Sequence, residues 1–227
     1  MRGLLLALLL CSWASEGQQA IVPVAGEPEN LGAVKARLIQ YQSCQESNCY
    51  VPQLERQSDL AIGFLKQSVA AAQPRDKLAL VLDIDETSLS NWSVELHDDF
   101  GYIPNDSNWC VALHCNTAIP GTLRLFHEAE KAGVAVFFIT GRPEGQRADT
   151  VANLQTVGFD RWEGLALRPE NHPKSQTTVE YKSGERAKIV AKGYRLILNV
   201  GDQMSDLKGD PQAEHSVKLP NPFYLIP

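Results

Sequence analysis

The spacing of hydrophobic residues changes at residue 77. Before it, apolar positions recur at three- and four-residue steps: 31–42 is moderately periodic, and "VPQLERQSDLAIGFLKQSVAAA" (51–72) strongly so. That spacing predicts two amphipathic helices, with Pro52 suited to the first turn of the second. Beyond residue 77 the apolar positions run together. "LALVLDI" (78–84), "VAVFFIT" (134–140), "GLAL" (164–167) and "RLILNV" (195–200) are strand-length and mostly apolar on both faces. Such runs suit strands buried on both sides in a parallel sheet. "HSVKLP" (215–220) predicts a short fifth strand. Helical patterns fill the gaps at 119–132, 144–157 and 183–192, and Gly133, Gly158 and Gly193 stand where those helices should stop.

Alternating strands and helices predict an α/β fold: a Rossmann-like parallel sheet with helices on both faces. Residues 77–227 form its core, and 18–76 an N-terminal helical extension packed on that core. Segment 91–118 breaks the alternation. It is polar, aromatic and without period, and a loop of that length inside a compact domain is usually functional. The expectation is an irregular cap insertion after the first strand, over the strand ends, tied by Cys110 and Cys115.

The first residues, "MRGLLLALLLCSWASEGQQA", carry one Arg, an apolar run at 4–10 and then small residues. The run is too short to span a bilayer, so 1–17 reads as a secretory signal, cleaved between about 14 and 20. The chain is then expected to be secreted or periplasmic, with no membrane span. Cys11 raises a lipid anchor, but Leu10 ahead of it is larger than such a site prefers. Cleavage leaves four of the five cysteines, in two close pairs, Cys44 with Cys49 and Cys110 with Cys115. Local bridges are the first choice among three connectivities. The net charge of −6 argues against nucleic-acid or membrane-surface partners, which are polyanions, but not against a small phosphorylated substrate. Nothing in the sequence sets the oligomeric state.

Ligands of parallel α/β sheets bind beyond the carboxyl ends of the strands. The first strand exits at Asp83-Ile84-Asp85, the second at Thr140-Gly141-Arg142, the fourth at Gly201-Asp202, and Asp206 follows a helical turn later. Asp83 and Asp85, two apart on an extended chain, can reach one small site. Converging carboxylates repel unless a cation sits among them. Oxygen ligands without clustered His or Cys point to a hard ion, and Mg2+ fits best. A carboxylate left free can attack phosphorus, and a neighbouring acid can protonate the leaving oxygen and then activate water. Asp98 and Asp99 suggest a second metal, but a solvated loop is the expected reading. Trp92, Phe100, Tyr102 and Trp109 are expected to pack cap against body more than to stack a substrate ring. "NWS" at Asn91 and "NDS" at Asn105 fit glycosylation sequons.

In order, "LVLDIDETSLSN" (80–91), "FFITGR" (137–142), "EYKSGER" (180–186) and "LNVGDQMSDL" (198–207) resemble the four motifs of the haloacid dehalogenase-like (HAD) superfamily. The resemblance runs from about residue 31 to 227. It is strongest to class III acid phosphatases: the bacterial class B and C enzymes and the plant acid phosphatases and vegetative storage proteins. It implies that Asp83 is the nucleophile and that Asp85 is the general acid and base, also binding metal through its carbonyl. It makes Thr140, with Gly141, the phosphate-binding turn and Lys182 the motif-three lysine, although Lys174 lies nearby. Asp202 and Asp206 complete a Mg2+ set with Asp83 and Asp85, and 91–118 is a type-one cap. The implied activity is a secreted, Mg2+-dependent acid phosphatase working through an aspartyl phosphate. The alternatives are a non-enzymatic storage or binding protein on the same fold, or another hydrolase of the superfamily such as a 5'-nucleotidase or phosphotransferase. A carbon–halogen hydrolase would not need Asp85, Asp202 and Asp206, and a phospho-accepting receiver carries its phosphorylated Asp on a later strand.

Overall fold

The computed structural model describes residues 24–226; the signal segment and Cys11 lie outside the described residues. Two helices open the fold, α1 (Leu31–Ser43) and α2 (Tyr50–Ala70). The chain continues through β1 (Lys77–Leu82), β2 (Leu89–Ser90), α3 (Trp92–His97), α4 (Pro104–Ala112), β3 (Thr117–Ala118) and α5 (Pro120–Lys131). β4 (Ala135–Pro143), α6 (Arg147–Thr156), β5 (Gly164–Arg168), α7 (Thr178–Ala191), β6 (Tyr194–Gly201), α8 (Met204–Leu207) and β7 (His215–Lys218) complete it. The main sheet runs β5-β4-β1-β6-β7, and every neighbouring pair is parallel. The predicted α/β architecture is therefore present, with β1 at its centre.

The double-sided apolar runs account for the two layers. Leu78, Leu80 and Leu82 of β1 join Val136 and Phe138 of β4 in a cluster with Leu54, Ala61 and Leu65 of α2 and Leu125 and Phe126 of α5. Ala79 and Val81, one residue out of phase, join Phe137 and Ile139 against Tyr181 and Ile189 of α7. Period-two alternation thus sends successive side chains to opposite helical layers. Gly133, Gly158 and Gly193 all have positive φ just past helix ends, which an L side chain adopts only with strain. Among the described residues no helix is long and apolar enough to cross a membrane.

Two expectations change. Segment 91–118 is not irregular: α3 and α4 lie within it, and antiparallel pairing of Leu89 with Ala118 and Ser90 with Thr117 closes its neck. Both helices are too short to show a hydrophobic period, so the pattern concealed them. The third core helix starts at Thr178, not 183. Thr177 Oγ1 accepts the Glu180 N–H at 3.1 Å, and Glu180 Oε2 accepts the Thr177 N–H at 2.8 Å. This capping box is written in the sequence as T-x-x-E, a start signal that apolar spacing alone passes over. Both disulfides are local, Cys44–Cys49 and Cys110–Cys115, the pairing expected.

Arg186 of α7 is fully buried, yet no carboxylate holds it. It donates to the carbonyls of Pro211 (2.8 Å), Asp206 (2.7 Å) and Gly209 (2.9 Å), and to that of Lys208. One guanidinium therefore satisfies the backbone of the loop after β6. Arg186→Met keeps the length and leaves those acceptors unpaired in the interior. The expected loss of unfolding free energy in urea is about 3–5 kcal/mol; a loss under about 1 kcal/mol would disprove the role.

Candidate active site

The site forms where β1, β4 and β6, adjacent in the sheet, release the chain. β1 ends at Leu82, but Asp83 N–H still bonds Val200 O at 3.1 Å, which carries the ladder one residue further. The chain then folds back on itself: the N–H groups of Thr87, Ser88 and Leu89 all point to Ile84 O. Ser88 Oγ donates to Asp83 O at 2.7 Å, and Thr87 Oγ1 to Asp202 Oδ1 at 3.0 Å. The hydroxyls that follow the two acids in sequence are thus the ties of this turn.

Asp83, Asp202 and Asp206 are all buried, and each offers one carboxylate oxygen within 4.8 Å of the others'. Lys182, a turn into α7, donates to Asp83 Oδ1 at 2.5 Å and to Asp206 Oδ1. Asp206 Oδ2 accepts the Gln203 N–H at 2.7 Å. Asp202 Oδ2 accepts from Asn221 and Gln203 side chains, each at 2.7 Å. Among the described residues no donor reaches Asp83 Oδ2. Burial pushes Asp83 well above the usual carboxylate range; Lys182 opposes this, while Asp206, Asp202 and Asp85 add to it. Burial also raises Asp202, with Asp206 adding to the effect. Burial would pull the Lys182 ammonium down, but Asp83 and Asp206 outweigh it and hold it above the usual lysine range. Carboxylates raised in this way mark a site short of positive charge. An all-oxygen set of three buried acids with one lysine can hold a divalent metal ion.

Asp85 is turned differently. Its carboxylate receives Arg142 Nη2 at 2.7 Å and Nε at 3.1 Å, and Asn91 Nδ2 at 3.1 Å. Burial alone would raise it, but the Arg142 charge and hydrogen bonds prevail and its pKa falls below the usual value. Its side chain therefore belongs to the guanidinium and stands outside the three-acid group. Thr140 is fully buried, and its Oγ1 accepts the Arg142 N–H at 3.1 Å. Gly141 reaches the cavity surface while Thr140 does not.

A cavity of about 550 Å³ opens above these groups, lined by Asp83, Asp85, Arg142, Lys182, Asp202 and Asp206 below and by cap residues above. The cap is pinned to the core by Gln146 to Asn108 at 2.8 Å and by Asn153 to the Asn116 carbonyl at 2.8 Å. Asp98 and Asp99 part company. Asp99 is exposed and pairs with Lys35 at 2.5 Å, but Asp98 is buried, so the expectation of a solvated loop fails for it. The turn after α3, with Asp99 and Phe100 at positive φ, folds Asp98 inward. Trp92 and Phe100 pack with Phe223, as expected, whereas Tyr102 and Trp109 are exposed.

Sequence reasoning passed over several residues here. Arg142 was visible beside Thr140, but its pairing with Asp85 was not. Glu86 is buried, accepts Tyr50 Oη at 2.5 Å and the Asn91 N–H at 2.5 Å, and is pushed up to about 8 by burial. Its place directly after the acid pair was the signal available. Asn221, which orients Asp202, comes from the C-terminal segment and carried no local signal.

Comparison with known proteins agrees with this geometry. Residues 13–227 match the family described as HAD superfamily, subfamily IIIB (Acid phosphatase). Acid phosphatase 1 of Solanum lycopersicum is 38% identical over 186 residues, covering 78% of this chain and 69% of that protein. The Stem 28 kDa glycoprotein of Glycine max is 34% identical, covering 67% of this chain and 61% of its own length. Vegetative storage protein 1 of Arabidopsis thaliana is 33% identical, covering 65% and 55%. The chain thus spans under two thirds of the latter two relatives. The class C acid phosphatase of Bacillus anthracis superposes with a TM-score of 0.69 over 86% of each chain at 21% identity, a likeness of fold. The family match extends over the whole core and the tomato relative shares more than a third of its aligned residues, so the chain belongs to the acid phosphatases of HAD superfamily subfamily IIIB.

Proposed function

We propose that this chain is an exported, Mg2+-dependent phosphomonoesterase that works through a phosphoaspartate on Asp83. The observation that carries the reading is the asymmetry of the Asp83 carboxylate on the cavity floor: Lys182 holds Oδ1, and no donor among the described residues reaches Oδ2. An oxygen held this way can approach phosphorus in line while its partner oxygen keeps the side chain oriented. Asp83 and Asp202, with Asp206 behind them and the Asp85 carbonyl, would hold the metal. When bound, that ion offsets the carboxylate repulsion and screens the phosphate charge from the nucleophile.

The protein's own groups supply the rest. Asp83 Oδ2 forms the bond to phosphorus as the ester oxygen leaves, taking a proton from Asp85. A water molecule then gives its proton to Asp85, its oxygen bonds phosphorus, and the Asp83 carboxylate is released with inorganic phosphate. Arg142 holds Asp85 over the floor in both steps, and its hold on the ionised form suits the base role in the second. Lys182 balances the charge that gathers on the transferred group, and the Thr140–Gly141 turn offers backbone N–H groups to its oxygens. The local disulfides fit an oxidising compartment, in keeping with the leader-like first residues.

Asp83→Asn removes the nucleophile at almost constant volume. Turnover of p-nitrophenyl phosphate is expected to fall about a thousandfold or more with an unchanged circular dichroism spectrum. Activity within tenfold of wild type would defeat the assignment. Chelation by EDTA is expected to reduce hydrolysis to background, and added Mg2+ to restore it; full activity in excess chelator would rule out the metal role. A wild type inert toward every phosphate ester with Mg2+ present would instead favour a storage role, the one named by the Arabidopsis relative.

A further inference from the structure

The cavity is electrostatically two-sided. Its floor pairs cations with acids, Lys182 between Asp83 and Asp206 and Arg142 on Asp85, and the Mg2+ proposed above would turn its net charge positive. Arg168, at the end of β5, adds a second guanidinium to the lining. The charged residues of the roof are acids alone. α3 and the turn after it bring Glu95 and Asp98, three residues apart, onto one face of the cap, and both line the cavity.

Among the described residues neither roof acid forms a salt bridge with Lys or Arg. Asp98 is 8% exposed and lines the cavity, and its Oδ1 has no hydrogen-bond partner among the described residues. Burying a carboxylate without a donor is costly, and a cation brought into the cavity beside Asp98 would lower that cost. Burial raises Glu95 to about 7, and the charges acting on it, those of Asp98 and Asp85, are both negative. His97 and Asp106 each bring a possible ligand atom near Asp98, but neither lines the cavity. The cavity side of Glu95 and Asp98 therefore lacks a counter-charge. Phe100, Tyr102 and Tyr224 share the lining, and aromatic faces attract ammonium groups.

We propose that Glu95 and Asp98 receive the cationic end of the leaving alcohol, so that the substrates are phosphate monoesters of amino or trimethylammonium alcohols. This rests on the phosphatase reading above and names its substrate class. The phosphate sits on the floor at Asp83 and Lys182, and the ammonium group lies toward the roof. With the proposed ion on the floor, the cavity's charge separation would parallel that of the substrate. Such complementarity selects among esters that share one reaction centre. A neutral alcohol of equal shape gains nothing from the roof, and an anionic one is repelled by it.

Two isosteric esters test this. Phosphocholine and 3,3-dimethylbutyl phosphate differ by a quaternary nitrogen against a quaternary carbon. With Mg2+ present, the wild type is expected to favour phosphocholine in kcat/KM by about tenfold or more. In Glu95→Gln/Asp98→Asn that preference is expected to shrink to within about threefold of unity. The ratio is taken within one preparation, so a partly unfolded variant lowers both rates and leaves the ratio intact. Equal kcat/KM for the two esters in the wild type overturns the proposal, as does a preference that survives in the double variant. Hydrolysis of p-nitrophenyl phosphate with neither alkyl ester cleaved also overturns it, and leaves the phosphatase reading standing. No hydrolysis of any ester overturns both.

Discussion

One ammonium group, Lys182 Nζ, holds the centre of this protein together. It lies between Asp83 and Asp206 in a place that water scarcely reaches. Four carboxylates, Asp83, Asp85, Asp202 and Asp206, are gathered at the ends of β1 and β6, and among the described residues only Lys182 and Arg142 face them as close cations. Burial should neutralise such groups, and Asp83 and Asp202 are indeed raised. The lysine keeps the assembly compact while leaving it short of positive charge. That shortfall suits a divalent ion and a transferring phosphoryl group, because both become more strongly held as the dielectric around them falls.

The scaffold serves this arrangement at some cost to its own packing. Asn199 is a buried polar residue in the middle of β6, and its Nδ2 donates to the Asp206 carbonyl at 2.9 Å. Arg186 places a full charge in the interior to bind the same carbonyl and its neighbours. A Cβ on Gly201 would run into the Asp206 carboxylate, so that strand end has room for glycine alone. Each of these choices fixes the position of Asp206, and through it of Lys182. Apolar residues at 186 and 199 would pack more cheaply, but they would leave the loop after β6 without anchors.

Above the floor, the cap adds a second charge pattern that the reaction itself does not require. Phosphoryl transfer needs the floor groups. In the proposed reading Glu95 of α3 and Asp98 after it act on whatever the phosphate is attached to, and they are held over the cavity by a neck of two short strands and by hydrogen bonds from Gln146 and Asn153, at the start of α6 and within it. On that reading this separation would let the reaction stay fixed on rigid strand ends while the cap's side chains select the leaving group.

The sequence by itself determined the sheet and which acids stand at its strand ends. Apolar runs such as 78–84 and 134–140 can be buried only with a helix on each side, and glycines at 133, 158 and 193 stop helices wherever they occur. The acids at 83, 85, 202 and 206 were legible because they follow such runs directly, and strand ends in parallel sheets adjoin. What only the tertiary structure decided were relations between distant segments. Lys182 meets Asp83 across 99 residues of chain, and Thr87 meets Asp202 across 115. The turning of Asp85 toward Arg142, the burial of Asp98 beside exposed Asp99, and the helices within 91–118 belong to the same class. No local pattern encodes them, because a polar side chain's partner is chosen by what the folded chain brings within about 3 Å of it, and that distance is set by packing rather than by spacing along the sequence.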